Sequence, residues 1–350
     1  MKINLPQKMK AVRQIGPLPE NSISDPKEIL KVLELTELDL PKPGPGQVLI
    51  KVNRGSMNPN DLYHIKGVYS STLNYPYPRG VGFEGAGTVV ANGGGIVGRM
   101  RLGKRVAFYT KNGLFAEYVL ADALKLIVLP NDVEFQEAAS SVANPITGIG
   151  MARWAKASGS KYFFITAAAG AVARMTMRAA SKYGLKSIAI VRREEQKEIC
   201  KEEGASYVLN QSDPDFEKQL TELCKEVNCR CGFDCIGGDM PLTLIRSMPQ
   251  GSTLCMYGYF NTGPMLFQPQ KLFNGWKIQF FETEYYINSL SLPSRFLLSR
   301  EVIRNVNGIF RPKIQRQFPM DQIQDAYAYY SQNMTDGKIQ ILCESTMRQG

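Results

Sequence analysis

The chain of 350 residues contains a single histidine, His64. That scarcity excludes a His–His metal site, and any Ser–His or Cys–His nucleophilic catalysis would have to run through His64. Apolar runs are also short. The longest candidate, Phe163–Val172, falls well below the roughly 18 residues of a spanning helix and opens into Gly and Ala. Blocks of five or six like charges are absent as well, although 42 Lys and Arg against 32 Asp and Glu give a net charge of +10. The basic excess is spread along the chain, with Lys104–Arg105 and Arg192–Arg193 as local pairs only, which argues against nucleic acid as the partner. No secretory h-region precedes the first strand pattern, and the cysteine count is odd, at seven. A reducing compartment, cytoplasmic or mitochondrial, is therefore expected.

Four of the cysteines, Cys224, Cys229, Cys231 and Cys235, are close together, but their spacing is C-x4-C-x-C-x3-C. Structural zinc is ordinarily held by two separated knuckles, and residues 231–236 read as a buried strand. Small buried thiols are the expectation for this cluster.

What is present divides the chain in two. Residues 1–130 are rich in Gly, Pro and short β-type runs, at Val48–Val52, Gly87–Val90, Arg105–Phe108, Ala116–Leu120 and Leu126–Leu129. This pattern predicts a compact, barrel-like β domain. Glu134–Ala143 reads as helical, interrupted by Asn144-Pro145. Beyond it, strands at Tyr162–Thr166, Ser187–Val191, Tyr207–Leu209, Gly232–Ile236, Thr253–Tyr257 and Lys277–Phe281 alternate with helices. The helices fall at Gly170–Tyr183, Glu194–Glu203, Phe216–Val227 and Pro241–Met248. Such alternation means parallel βαβ units, so an α/β fold with a doubly wound, six-stranded dinucleotide-binding sheet is expected over 131–288. Residues 289–350 return to mixed helix and strand.

In a doubly wound sheet the ligand sits beyond the carboxyl ends of the strands. The first strand–helix turn, Thr166-Ala-Ala-Ala-Gly-Ala-Val-Ala173, is built of small residues that let a pyrophosphate approach the helix N-terminus. Ala167, Gly170, Ala171 and Val172 are its candidate contacts. The competing reading is an ordinary tight turn that packs helix on strand. About 20 residues on, an NAD site carries an acid for the ribose hydroxyls. Here the second strand ends Val191-Arg192-Arg193, and two guanidiniums favour the 2′-phosphate of NADPH. The competing reading pairs Arg192 and Arg193 with Glu194 and Glu195.

The order of segments Pro43–Val52, Asn58-Pro-Asn-Asp61, Gly67-Val-Tyr69, Gly80-Val-Gly-Phe-Glu-Gly85, Phe115-Ala-Glu-Tyr118, Asn144-Pro-Ile-Thr147, Phe233–Gly238 and Tyr257-Gly258 resembles one known family. It is similar to the zinc-independent quinone oxidoreductase and enoyl-thioester reductase branch of the medium-chain dehydrogenase/reductase superfamily. The resemblance runs from Met9-Lys-Ala-Val12 to Gly337-Lys338. It implies a GroES-like β-rich catalytic domain, completed by 289–350, beside the Rossmann domain. In zinc alcohol dehydrogenases of the superfamily a Cys and a His occupy the stretches matching Asn58–Asp61 and Gly82–Glu84, and neither residue is there in this chain.

The implied reaction is hydride transfer from NADPH to a quinone or an α,β-unsaturated carbonyl or enoyl thioester. By resemblance Asn58 and Thr147 line the nicotinamide end, Tyr257 and Lys338 approach the cofactor, and Tyr69 matches the catalytic tyrosine of enoyl-thioester reductases. His64 is expected to be structural. The phosphate turn departs from the family pattern at Ala171 and Ala173, and Arg174 can either bind the pyrophosphate or occupy its space. A second reading follows, in which the chain is a structural or accessory subunit docking on an acidic protein partner or larger complex. The resemblance also implies a homodimer paired through strand edges near Met265–Leu272.

Overall fold

The computed structural model describes residues 4–18, 26–67, 76–111, 113–261, 263–266, 270, 275–334 and 337–344. The chain forms two compact units, one of residues 1–143 with 299–350 and one of residues 144–298. The divisions fall 10 to 13 residues beyond those read from the sequence, at 130 and 288.

The first unit holds strands β1 (Lys8–Gln14), β2 (Leu33–Asp39), β3 (Gln47–Ser56), β4 (Arg79–Gly80), β5 (Glu84–Asn92), β6 (Arg105–Tyr109), β7 (Tyr118–Asp122) and β8 (Ile127–Val128). Helices α1 (Pro26–Lys31), α2 (Pro59–Ile65), α3 (Ile96–Arg101) and α4 (Phe135–Ala138) connect them. The main sheet is seven-stranded, running β15-β16-β3-β5-β6-β8 with β7 also on β3, where β15 (Ile314–Pro319) and β16 (Lys338–Leu342) come from the C-terminal return. Alternate residues of β3, namely Val48, Ile50 and Val52, enter one core with Val89, Val106, Phe108, Ile339 and Ile341. Pairing of Gln340 with Ser56 fixes the register that brings Lys338 beside the start of α2.

The second unit opens with α5 (Ala143–Ala157) and contains strands β9 (Tyr162–Ile165), β10 (Lys186–Val191), β11 (Tyr207–Asn210), β12 (Cys231–Asp234), β13 (Thr253–Met256) and β14 (Lys277–Phe280). Between the first five lie α6 (Ala171–Ser181), α7 (Gln196–Glu202), α8 (Phe216–Glu226) and α9 (Met240–Ser247); α10 (Thr283–Ser289) and α11 (Leu292–Arg304) follow β14. All strands are parallel, in the order β11-β10-β9-β12-β13-β14, which reverses direction at β9. Phe163, Phe164 and Ile165 of β9 are wholly buried, as a central parallel strand covered on both faces requires. Gly232 makes room for one of them, since a Cβ there would lie 2.1 Å from Cζ of Phe164.

One sequence expectation is corrected. The helical reading of Glu134–Ala143 ends early, because α4 covers only Phe135–Ala138. Asn144-Pro145 interrupts nothing and stands in the first turn of α5. Proline lacks an N–H that the first helical turn would leave unbonded anyway, so it starts this helix. In the return, α12 (Ile323–Gln332) covers the core through Ala326, Tyr327 and Tyr330.

Candidate functional site

The phosphate turn follows β9 directly. Thr166 N–H donates to Phe233 O at 3.0 Å, and Ala168 N–H donates to Ile190 O at 3.1 Å, which ties the turn to both neighbouring strands. Between them Ala167 adopts φ 48°, a left-handed conformation that alanine rarely takes. Gly170 then caps α6 without any side-chain bond. Among the described residues the N–H groups of Ala171, Val172 and Ala173 find no acceptor. They converge at the positive end of the helix dipole, the arrangement that receives an anion. A Cβ on Gly170 would stand 3.1 Å from Ala167 O, so the turn is as tight as its composition suggested.

Arg174 does not fill this turn. Its guanidinium is held by Glu203, with Nε donating to Oε1 at 2.7 Å, and Arg178 grips the same carboxylate. Burial would raise the Glu203 pKa, but the hydrogen bonds from Arg178 and Arg174 outweigh it and hold the carboxyl below its usual value.

Beneath the turn, buried Asp234 at the end of β12 accepts from Thr166 Oγ1 at 2.6 Å and from the N–H groups of Ile236 and Gly237. Burial raises its pKa, while these bonds oppose the rise. Tyr257 Oη donates to Thr166 O at 2.9 Å, so its hydroxyl braces the strand end. At the tip of β10, the N–H groups of Arg192 and Arg193 both donate to Gln196 Oε1, at 3.2 and 3.1 Å. Arg193 pairs with Glu195 at 2.8 Å on the surface, whereas the Arg192 guanidinium has no partner among the described residues. Glu194 turns to Asn210 and Lys197. Gln211, just after β11, keeps its Oε1 shielded and unbonded among the described residues. Thr147, on the first turns of α5, shares a 2.7 Å hydroxyl contact with Thr283.

A second polar cluster is buried in the β-rich unit. Asn58 caps α2 in a capping box, its own N–H donating to Asp61 Oδ2 at 2.6 Å, and Pro59 occupies the first helical position. The Asn58 side chain donates to Glu84 Oε2 at 2.8 Å and accepts from Lys338 Nζ. Glu84 Oε1 in turn takes the N–H groups of Val142 and Ala143, both at 2.7 Å. Burial lowers the Lys338 pKa, and Glu84 and Asp61 oppose that shift. Burial also pushes Asp61 up to about 7, and among the described residues its Oδ1 has no hydrogen-bond partner. Asn58 and Lys338 thus meet, while Thr147, Ala167, Gly170, Ala171, Val172, Arg192, Arg193 and Tyr257 belong to the other unit.

Reading the sequence alone missed Asp61, Glu84, Glu203 and Asp234 as organising groups. The Asn-Pro-x-Asp spacing of a capping box signalled the first of these. Tyr69 lies outside the described residues, as does most of Met265–Leu272. His64 is buried edge-on to Phe83, and burial with the Arg79 charge lowers it to about 4. The seven cysteines are buried free thiols. Among the described residues no three His, Cys, Asp or Glu side chains converge as metal ligands, and no helix is long and apolar enough to cross a membrane.

These features define a two-unit protein with a β-rich unit and a doubly wound, dinucleotide-type parallel sheet. Residues 44–131 match the alcohol dehydrogenase GroES-like domain and residues 171–284 the zinc-binding dehydrogenase family. A solved structure from Mesorhizobium loti, assigned as an NADPH:quinone reductase, is 31% identical with a TM-score of 0.86, over 97% of this chain and all of that one. A mitochondrial enoyl-acyl-carrier-protein reductase of Caenorhabditis elegans is 28% identical over 238 residues, 65% of this chain and 67% of that protein. A zinc-type alcohol dehydrogenase-like protein of Schizosaccharomyces pombe is 29% identical over 225 residues, 63% of this chain and 62% of that protein, so the chain spans under two thirds of it. The chain belongs to the medium-chain dehydrogenase/reductase superfamily, in its quinone oxidoreductase and enoyl reductase-like branch. The family description mentions zinc, and in this chain the stretches Asn58–Asp61 and Gly82–Glu84 carry neither Cys nor His and bring Asn58 onto Glu84 and Lys338.

Proposed function

We propose that the protein is an NADPH-dependent, zinc-free reductase acting on a quinone or an α,β-unsaturated carbonyl such as an enoyl thioester. The observation that carries this reading is the open phosphate turn. Ala171, Val172 and Ala173 present free N–H groups, and Glu203 draws Arg174 away from them. The alternative of an accessory subunit drew on Arg174 closing that turn, and loses this ground.

In this reading the N–H groups at Ala171–Ala173 hold the pyrophosphate, with Ala167 and Gly170 shaping the turn. Arg192 and Arg193 take the 2′-phosphate. Arg192 has an unpaired guanidinium at the tip of β10, and Arg193 exchanges a surface ion pair for the phosphate. Tyr257 acts by bracing Thr166, because its hydroxyl already donates there. Thr147, Asn58 and Lys338 are assigned to the nicotinamide end, where the Lys338 cation and the Asn58 amide supply polar contacts. The bound nicotinamide supplies the hydride, and the protein orients the acceptor and stabilises charge on its oxygen. Tyr69 is the proposed proton donor or carbonyl-orienting group. A homodimer paired through strand edges near Met265–Leu272 completes the proposal, and a dimer mass by light scattering is expected.

The test is a turnover assay with NADPH against benzoquinone and a short enoyl thioester. Consumption of either acceptor is expected, and Tyr69→Phe should slow the enoyl reaction at least about tenfold if the hydroxyl participates. Equal rates for Tyr69→Phe and wild type would remove Tyr69 from the mechanism, and no turnover with either class would overturn the assigned reaction.

A further inference from the structure

In the β-rich unit, α3 and the 3-10 turn Ala123–Lys125 carry apolar side chains that stand exposed. α3 turns Val97 and Gly98 inward, with Val97 packed on the core. Ile96 and Met100, one helical turn apart, consequently face outward and are 80% and 68% exposed. Leu124 on the adjoining turn is 70% exposed. The two turns touch, since Arg101 Nε reaches Ala123 O at 3.4 Å. A single exposed leucine is ordinary, whereas three large apolar side chains on two touching turns form a patch.

The chain segments that carry it are rich in charge of one sign. No acid occurs from Gly93 to Arg105 or from Ala123 to Pro130, and the same stretches supply Arg99, Arg101, Lys104, Arg105 and Lys125, of which Arg105 lies 3.9 Å from Glu134. Asp122, the acid preceding the second stretch, has its carboxylate capping Leu124 N–H at 2.9 Å. Among the described residues neither Arg99 nor Lys104 makes an ion pair. The apolar side chains project from two short turns. A protein partner would have to supply a matching surface for them. An acyl–headgroup boundary receives them without shape matching and places lipid phosphates at the depth of the flanking cations.

We propose that this patch is a peripheral docking site for an anionic lipid surface, with Ile96, Met100 and Leu124 entering the boundary and Arg99, Arg101 and Lys104 meeting phosphates. The test mixes the whole protein with sedimentable vesicles of phosphatidylcholine, with or without a third of phosphatidylserine. Co-sedimentation is expected with the anionic vesicles only. Ile96→Asp combined with Leu124→Asp should lower the partition coefficient at least about tenfold. Arg99→Gln with Lys104→Gln should do the same and, being on exposed side chains, keeps the fold. Leu292→Ser with Leu297→Ser, in the other unit, should bind as wild type. Absence of sedimentation with either vesicle, or unchanged binding in both patch variants, overturns the proposal. Retention on immobilised polyglutamate, lost in the patch variants while vesicles are ignored, would mean an acidic protein partner and also overturns it.

Discussion

Glu203→Gln tests how the phosphate turn is kept open. The Glu203 side chain is only 7% exposed and lies between Arg174 and Arg178, whose side chains are 21% and 26% exposed. Exposed ion pairs contribute about 0–1 kcal/mol, and losing one member of a fully buried pair costs roughly 3–5 kcal/mol. The two guanidiniums here can partly rehydrate, so the cost lies between, at about 2 kcal/mol. That corresponds to a fall in Tm of roughly 4–8 °C for a unit of this size. The pH dependence has a definite sign. The folded pKa of Glu203 lies below its ordinary 4.5, so its stabilisation is present above that pH and is lost as pH falls through the folded value. Paired thermal melts of wild type and variant should therefore differ at pH 7 and converge toward pH 3. Equal melting temperatures at pH 7, or a gap unchanged in acid, would refute the reasoning.

Arg192→Ala should raise the Kd for NADPH about tenfold to a hundredfold while leaving NADH within about twofold, as read by nicotinamide fluorescence, because one charge-assisted phosphate contact contributes roughly 1.5–3 kcal/mol. Asp61 behaves opposite to Glu203. Its pKa is raised from 3.8 to about 7, so the folded chain retains a proton the unfolded chain has released, and stability falls as pH rises between those values. Asp61→Asn should remove that slope in denaturant titrations at pH 4, 5.5 and 7.

Much of this architecture could be read in advance where a pattern was local. The alternation from Tyr162 to Phe281 announced a parallel sheet, and Gly184 and Gly204, both with positive φ, stop helices where expected. Asn144-Pro145 was misread as the interruption of a helix over Glu134–Ala143 because Pro145 breaks a helix interior yet favours a helix start, and only the surrounding chain decides which. The phosphate turn was legible from its small residues. The fate of Arg174 was not, because Glu203 lies 29 positions away and no period links them. Asn58 and Lys338 are 280 positions apart and were paired by sheet register, and the resemblance pointed to both residues but not to their contact.

The central claim is that this turn binds NADPH, and a fluorescence titration of the wild-type protein with NADPH and then NADH at moderate salt tests it most directly. The account predicts saturable NADPH binding at least about tenfold tighter than NADH, the preference arising from Arg192 and Arg193 at the tip of β10. Equal affinity for both would contradict the phosphate assignment, and binding of neither would contradict the reductase reading itself.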